Sequence, residues 1–317
     1  MRKLFSIFLL LFSVFLSVSA LSPSSTLAHG VVGQRFFPAT VAVDDPFVAD
    51  EMDLLGYQTI SNPDPTDPSH TQSQTYWSGI SKRLTRDIGI QIKASYTMDH
   101  FEGQGNNNGF QNIVFGIMDQ MIKIPAHEFI FSSALNVEIA RTGNQSVAAP
   151  YSTVSPEIYF GYGFGELPDS LRYLRPFAIT GTADLAVPIT DGSDGSDYST
   201  GADYGLTLMY STMYLQSFVK DIGLTKPFSR MIPIVEFTWS SNINGPNQTI
   251  PTAYAYPGIL WIGKYTEIGL EAVLPLNSAT GSQPGGQVLF HVFLDDWMPQ
   301  IFTRSISGEV LGPTQAQ

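Results

Sequence analysis

The feature that most constrains this chain is a hydrophobic period of two, carried over runs of about ten residues. Ile88, Ile90, Ile92, Ala94 and Tyr96 fall on one face of an extended strand, with Gly89, Gln91, Lys93, Ser95 and Thr97 on the other. The alternation returns in Phe129, Phe131, Ser133, Leu135, Val137 and Ile139, in Ile158, Phe160 and Tyr162, and in Phe177, Ile179, Ala183, Leu185 and Val187. It returns again in Val235, Phe237 and Trp239, in Ile268, Leu270, Ala272 and Leu274, and in Val288, Phe290 and Val292. Candidate strands span 75–84, 87–97, 111–122, 127–140, 154–165, 172–188, 204–219, 231–241, 255–263, 266–276 and 286–295. Runs on the order of 9–13 residues suit a tilted strand that crosses a bilayer. Strands of soluble proteins are nearer to about 5–6 residues. The expected fold is all-β: a transmembrane antiparallel up-and-down β-barrel of about 12 strands, with an irregular N-terminal segment. Residues 36–43 are a candidate for the strand that makes the number even. A secreted β-sandwich is the rival architecture, and strand length and aliphatic outer faces speak against it.

Composition agrees with a strand-built chain that meets lipid. Only 14% of residues are charged, 12% are aromatic, and there are 28 glycines and no cysteine. The missing cysteine removes disulfides, thiolate metal sites and a thiol nucleophile. With 28 Asp and Glu against 16 Lys and Arg, the chain is a poor partner for nucleic acid. Short links at 85–87, 123–126 and 263–265 alternate with long Gly-, Asn-, Ser- or Asp-rich loops at 101–109, 142–153, 191–203 and 242–252, as in outer-membrane barrels.

The N-terminus reads as an export signal. Arg2 and Lys3 precede an apolar run at 4–18, and small-residue cleavage patterns end at Ala20 and Ala28, the second being preferred. The expected organisation is a signal peptide at 1–28, an irregular periplasmic or plug-like segment at 29–74, a β-barrel at 75–302 and a C-terminal tail at 303–317. The second segment carries Pro38, Pro46, Pro63, Pro65 and Pro68 with Asp44, Asp45, Asp50, Glu51 and Asp53.

Two stretches carry a resemblance. Arg35-Phe36-Phe37-Pro38-Ala39-Thr40 through Asp44-Asp45-Pro46-Phe47-Val48-Ala49-Asp50-Glu51 resembles the start of a group of uncharacterised proteobacterial outer-membrane proteins. Pro257-Gly258-Ile259-Leu260-Trp261 and Glu271-Ala272-Val273-Leu274-Pro275-Leu276-Asn277 resemble strands of the transporter barrels linked to meta-pathway phenol degradation. The resemblance implies an outer-membrane barrel that passes small hydrophobic or aromatic molecules, and it implies no site residues.

If the apolar faces meet lipid, the opposite faces line the lumen. Gln91, Lys93, Glu128, Asn136, Glu138, Glu157, Thr182, Asp184, Glu236, Glu267, Glu271 and His291 then point inward, an electronegative set with Lys93 its one clear cation. The expected function is an outer-membrane channel or transporter for small solutes through an acidic lumen, cation-preferring, in contact with outer-membrane lipid and lipopolysaccharide. No cofactor, metal or nucleic acid is expected, and no catalytic residues. The alternatives are a structural or adhesive surface barrel and a secreted copper oxidoreductase. The latter rests on His29-Gly30, which resembles the start of lytic polysaccharide monooxygenases and needs a second ligand from His70, His100, His127 or His291. Asp191, Asp194 and Asp197 suggest a solvated acidic loop rather than a Ca²⁺ site. The pairs Asp44-Asp45 and Asp295-Asp296 are expected at rims or turns, because adjacent side chains point apart. Asn144 and Asn247 begin glycosylation-like triplets that mark exposed loops. No Gly-x-Ser-x-Gly, His-Glu-x-x-His or phosphate-binding loop is present.

Overall fold

A computed structural model describes residues 30–61, 63, 67, 69–189, 198–244 and 251–302. The proposed signal, His29, Asp191, Asp194, Asp197, the Asn247 triplet and the tail at 303–317 lie outside them.

Among the described residues, twelve staves form one antiparallel meander. They are β1 (Glu51–Ser61), β2 (His70–Arg83), β3 (Ile88–Phe101), β4 (Gly105–Phe110 continued by Ile113–Ile124), β5 (Phe129–Ile139) and β6 (Ser152–Gly163). The meander continues through β7 (Phe177–Ile189), β8 (Gly201–Tyr210), β9 (Met231–Asn242), β10 (Thr252–Ile262), β11 (Thr266–Pro275) and β12 (Gly285–Phe293). The sheet closes where β12 pairs with β1, Phe293 opposite Glu51 and Gly286 opposite Thr59. Closure leaves no unpaired edge, the condition for a sheet to stand in hydrocarbon.

The alternation sorts side chains as the period demands. Ile92, Ile117, Leu135, Ile158, Leu185, Leu208 and Leu270 are exposed on the outside, Leu270 by 61%. Their neighbours along each strand, such as Ile130, Ser132, Thr180, Thr207, Glu236 and Glu267, are buried inside. An apolar exterior on a closed, even-stranded barrel is stable against lipid and not against water, which defines an outer-membrane β-barrel.

Several boundaries differ from expectation. The remaining strand is β1, not 36–43, so the barrel begins at residue 51, and residue 75 falls inside β2. A register shift between Asp53 and Gly56 breaks β1's two-residue period, which hid it. The run at 204–219 is a strand only to Tyr210. Beyond it Thr212–Tyr214 and Leu215–Val219 coil into short helical turns, capped by the Ser211 hydroxyl accepting from the Tyr214 N–H. Likewise Asp169–Leu174 is a short helix, and β7 starts only at Phe177. Part of the loop expected at 101–109 is ordered: Gly105–Phe110 pairs with the end of β3 and lengthens that hairpin.

Residues 30–50 do not join the sheet. They run inside the barrel, entering from the end where Glu51 and Phe293 meet. At this terminal end Val32, Phe36, Phe37 and Phe47 pack with Ile130, Ala178, Met209, Ile232, Leu260 and Phe293 into the apolar core of the molecule. The N-terminal segment is therefore the lumen's own filling.

Candidate functional site

The site is the seam between this internal segment and the barrel wall. Two wall glycines make room for it. A Cβ at Gly205 would lie 2.8 Å from a Val43 methyl, and one at Gly269 would lie 2.6 Å from a Val41 methyl. With Val43 and Val41 in place, a side chain at either position would push the segment off the wall.

Glu236 holds the segment's middle. Its carboxylate accepts the backbone N–H groups of Val41 and Ala42 on one oxygen at 3.0 and 2.8 Å, and that of Val43 on the other at 2.9 Å. The Thr207 hydroxyl donates to the second oxygen at 3.1 Å. Glu236 is wholly buried, so the carboxylate replaces water for three successive N–H groups that have no strand partner. Glu271, on β11, reaches toward Glu236 over Gly258 of the intervening β10, where a Cβ would lie 2.4 Å from the Glu271 side chain. Gln287 in turn donates to Glu271, and Gln58 donates to Gln287 at 2.7 Å. A polar belt thus runs across β9, β11, β12 and β1 at mid-lumen.

Arg35 anchors the segment at the terminal end. Its Nε lies 3.1 Å from the Glu128 carboxylate, its other nitrogens donate to the carbonyls of Pro176 and Arg175, and its guanidinium stacks 3.9 Å from the Tyr214 ring. Burial lowers the guanidinium's affinity for its proton, and Glu128 opposes this. Glu128 differs from expectation in sitting in the β4–β5 turn rather than on a strand face. Its φ of 46° turns the side chain back into the barrel, where Gly165 N–H also donates to it at 3.1 Å. The helical turn after β8, missed as such in the sequence, is what brings Tyr214 beneath Arg35.

The third contact is a row of paired residues on five adjacent staves. Glu267 stands opposite His291, His291 opposite Asp53, Asp53 opposite Gly79 and Gly79 opposite Lys93. His291 Nδ1 is 2.8 Å from Asp53 Oδ1, and its Nε2 is 3.5 Å from Glu51. The internal segment lays Asp44-Asp45 against this row. Asp44 pairs with Lys93, and Asp45 faces His291, Glu51 and Glu267. The acidic pair is thus inside the lumen, not at a rim, although its side chains do point apart. Burial, then the nearby Glu51, pushes the Asp45 carboxyl well above the usual range. At the segment's exit Asp50 accepts from Lys82 at 2.9 Å and Arg83 at 3.1 Å, and Arg83 also reaches Asp295 at 3.2 Å.

The other expected lumen residues form a second set of contacts. Gln91 donates to Asn136, Asn136 donates to Glu157, and Asn112 donates to Glu138, at 2.9, 2.9 and 2.8 Å. Asp184 is paired between Glu157 and Asp203 on neighbouring staves. With Asp44 these three acids line a cavity of about 320 Å³ beyond the internal segment. Sequence reasoning missed Asp53, Glu51 and Asp203. Asp203 lies at the foot of a loop, and the other two lie in the stretch read as irregular.

The histidines are dispersed. His70 pairs with Asp99, His100 contacts Asn106, and His127 pairs with Glu166 at the surface. Among the described residues no three His, Asp or Glu side chains converge as metal ligands.

A closed antiparallel barrel with an apolar outside and a filled lumen defines the class: a single-chain outer-membrane β-barrel protein. The chain is similar to several solved structures. An outer-membrane channel from Pseudomonas putida F1 is 12% identical, with a TM-score of 0.47 over 81% of this chain and 99% of that one. The NanC porin is 7% identical, with a TM-score of 0.48 over 77% and 99%. The outer-membrane phospholipase dimer of Salmonella typhi is 8% identical, with a TM-score of 0.40 over 84% and 98%. No protein-family model matches the chain, and no curated protein sequence does.

Proposed function

We propose that this barrel is a gated outer-membrane channel or transporter for small solutes, closed here by residues 30–50. The observation that carries the reading is the way this segment is held. Residues 30–49 occupy the lumen without a ladder hydrogen bond to the wall, through one carboxylate clasp, ion pairs at Arg35 and Asp44, a hydrogen bond from the Ser132 hydroxyl to the Pro46 carbonyl and side-chain packing, and Asp50 ties the exit to Lys82, Arg83 and the Leu294 N–H. A segment meant only as permanent filling has no need to stay out of the sheet. Each of these contacts can open without breaking a stave.

The wall acids bias what passes. Glu157, Asp184 and Asp203 lie side by side above the segment, and a low-dielectric wall focuses their field, so cations are enriched and anions repelled. Neutral hydrophobic or aromatic solutes are not excluded by such a field, in keeping with the sequence resemblance to transporter barrels. In this reading residues 1–28 direct export and are removed, and lipid with lipopolysaccharide surrounds the apolar belt. Planar-bilayer recordings test it. Cation preference that declines as salt rises supports it, since the Debye length shrinks to about 3 Å at 1 M. Anion preference overturns the acidic-lumen assignment.

A further inference from the structure

We propose that the Asp45 seam is a proton-operated latch: seating the internal segment takes up a proton, and rising pH releases it. The inference rests on the gating reading and adds its control. Four carboxyl groups surround the single imidazole of His291 at the seam: Asp45 from the internal segment and Glu51 and Asp53 from the wall line one small cavity with it, and Glu267 stands opposite it on the neighbouring stave. Glu267 is wholly buried, and neither of its carboxyl oxygens has a hydrogen-bond partner among the described residues. His291 Nε2 is likewise without a hydrogen bond, its nearest acid being Glu51 at 3.5 Å.

The remaining charged groups at the seam do not balance it. Lys93 is committed to Asp44 and also faces Asp53 and Glu157, while Arg83 is committed to Asp50 and Asp295. Asp295 adds a further acid facing Glu51. One imidazolium cannot neutralise four carboxylates gathered around one narrow cavity wall, Glu267 among them wholly buried, so the seated state holds a proton among them. Withdrawing the segment carries Asp45 away from three acids and lets water reach Glu267. Both changes let the proton go. Two states that differ by one bound proton shift their ratio by up to about tenfold per pH unit. Alkaline conditions therefore favour the withdrawn segment, and mild acid the seated one.

Thiol labelling reads seating directly, because the chain has no cysteine of its own. Val43→Cys places a thiol at a position that is 2% exposed when the segment is seated, and Glu102→Cys places a reference thiol in an exposed turn. The ratio of maleimide labelling rates at the two sites cancels the thiol's own ionisation. Between pH 5 and 9 the ratio should rise by at least tenfold, and Asp45→Asn and Glu267→Gln should each flatten the rise. Normal heat-dependent gel mobility shows that each variant has kept its barrel. A flat ratio in the unsubstituted seam overturns the latch, as does the full rise in both amide variants. Conductance measured in parallel separates the two ideas. A rising labelling ratio without current leaves the latch standing and removes the channel, whereas current with a flat ratio does the reverse.

Discussion

Replacing Glu236 should unseat the internal segment while leaving the barrel intact. The wholly buried carboxylate takes three backbone N–H donors at 2.8–3.0 Å and one hydroxyl. A hydrogen bond to a charged group contributes roughly 1.5–3 kcal/mol net. In Glu236→Gln the amide oxygen can keep Val41 and Ala42, but the amide nitrogen then faces the Val43 N–H, a donor against a donor. The loss is about one charge-assisted bond, roughly 2–3 kcal/mol, which shifts the open-to-closed ratio by roughly 30- to 150-fold. Glu236→Ala removes all four bonds, three of them to the segment. Water entering the gap recovers part of the loss, so roughly 4 kcal/mol, near a thousandfold, is expected rather than the full sum. Open probability in planar bilayers reads the ratio, with gel mobility as the control for folding. If both variants fold and open no more often than the parent, the clasp does not hold the gate.

Three further outcomes are expected. Arg35→Ala strips Glu128 of its buried partner, and losing one side of such a pair costs about 3–5 kcal/mol; protease access to residues 30–40 should rise, and an unchanged digestion pattern would count against Arg35 as an anchor. Leu270→Arg should weaken the barrel in lipid by about 2–4 kcal/mol if this position faces mid-bilayer, as urea unfolding in vesicles would measure; a neutral effect would mean that the apolar faces are not the lipid faces. Asp295, in the short helix after β12, has its carboxyl pushed up to about 8 by burial, with Arg83 opposing. The folded state therefore holds a proton that the unfolded chain releases near pH 3.8. This contribution is complete below that pH and is lost as pH rises to about 8. The heat-modifiability midpoint should fall across the window, and Asp295→Asn should lessen the fall.

The outside of the barrel was legible because lipid imposes one rule on every stave. Ile90, Ile92, Leu135, Leu185 and Leu270 must be apolar wherever the strand turns them outward, and that leaves a period of two. The inward parity of Lys93, Glu236, Glu267 and His291 follows from the same period. What these residues touch does not. The clasp on Glu236 uses backbone N–H groups of residues 41–43, which carry no side-chain signature. The row from Glu267 to Lys93 exists only in the register of five strands distant in sequence. β1 was hidden because its bulge shifts the phase between Asp53 and Gly56, and the proline- and aspartate-rich residues on either side read as loop. The turns after β8 read as strand because the run is carried past Tyr210, although Leu215, Phe218 and Val219 stand at helical spacing and the Ser211 hydroxyl caps the turn.

The central claim is that residues 30–50 move to open the lumen, and a single cross-link tests it. A cysteine at 205 places its Cβ where Val43's methyls lie 2.8 and 2.9 Å away, so Val43→Cys with Gly205→Cys fits a disulfide between segment and wall. With no other thiol in the chain, oxidation locks only this pair. In planar bilayers the reduced protein should show opening events, more of them at alkaline pH, and complete oxidation should abolish them reversibly. Equal currents from the reduced and the fully cross-linked protein would contradict the account.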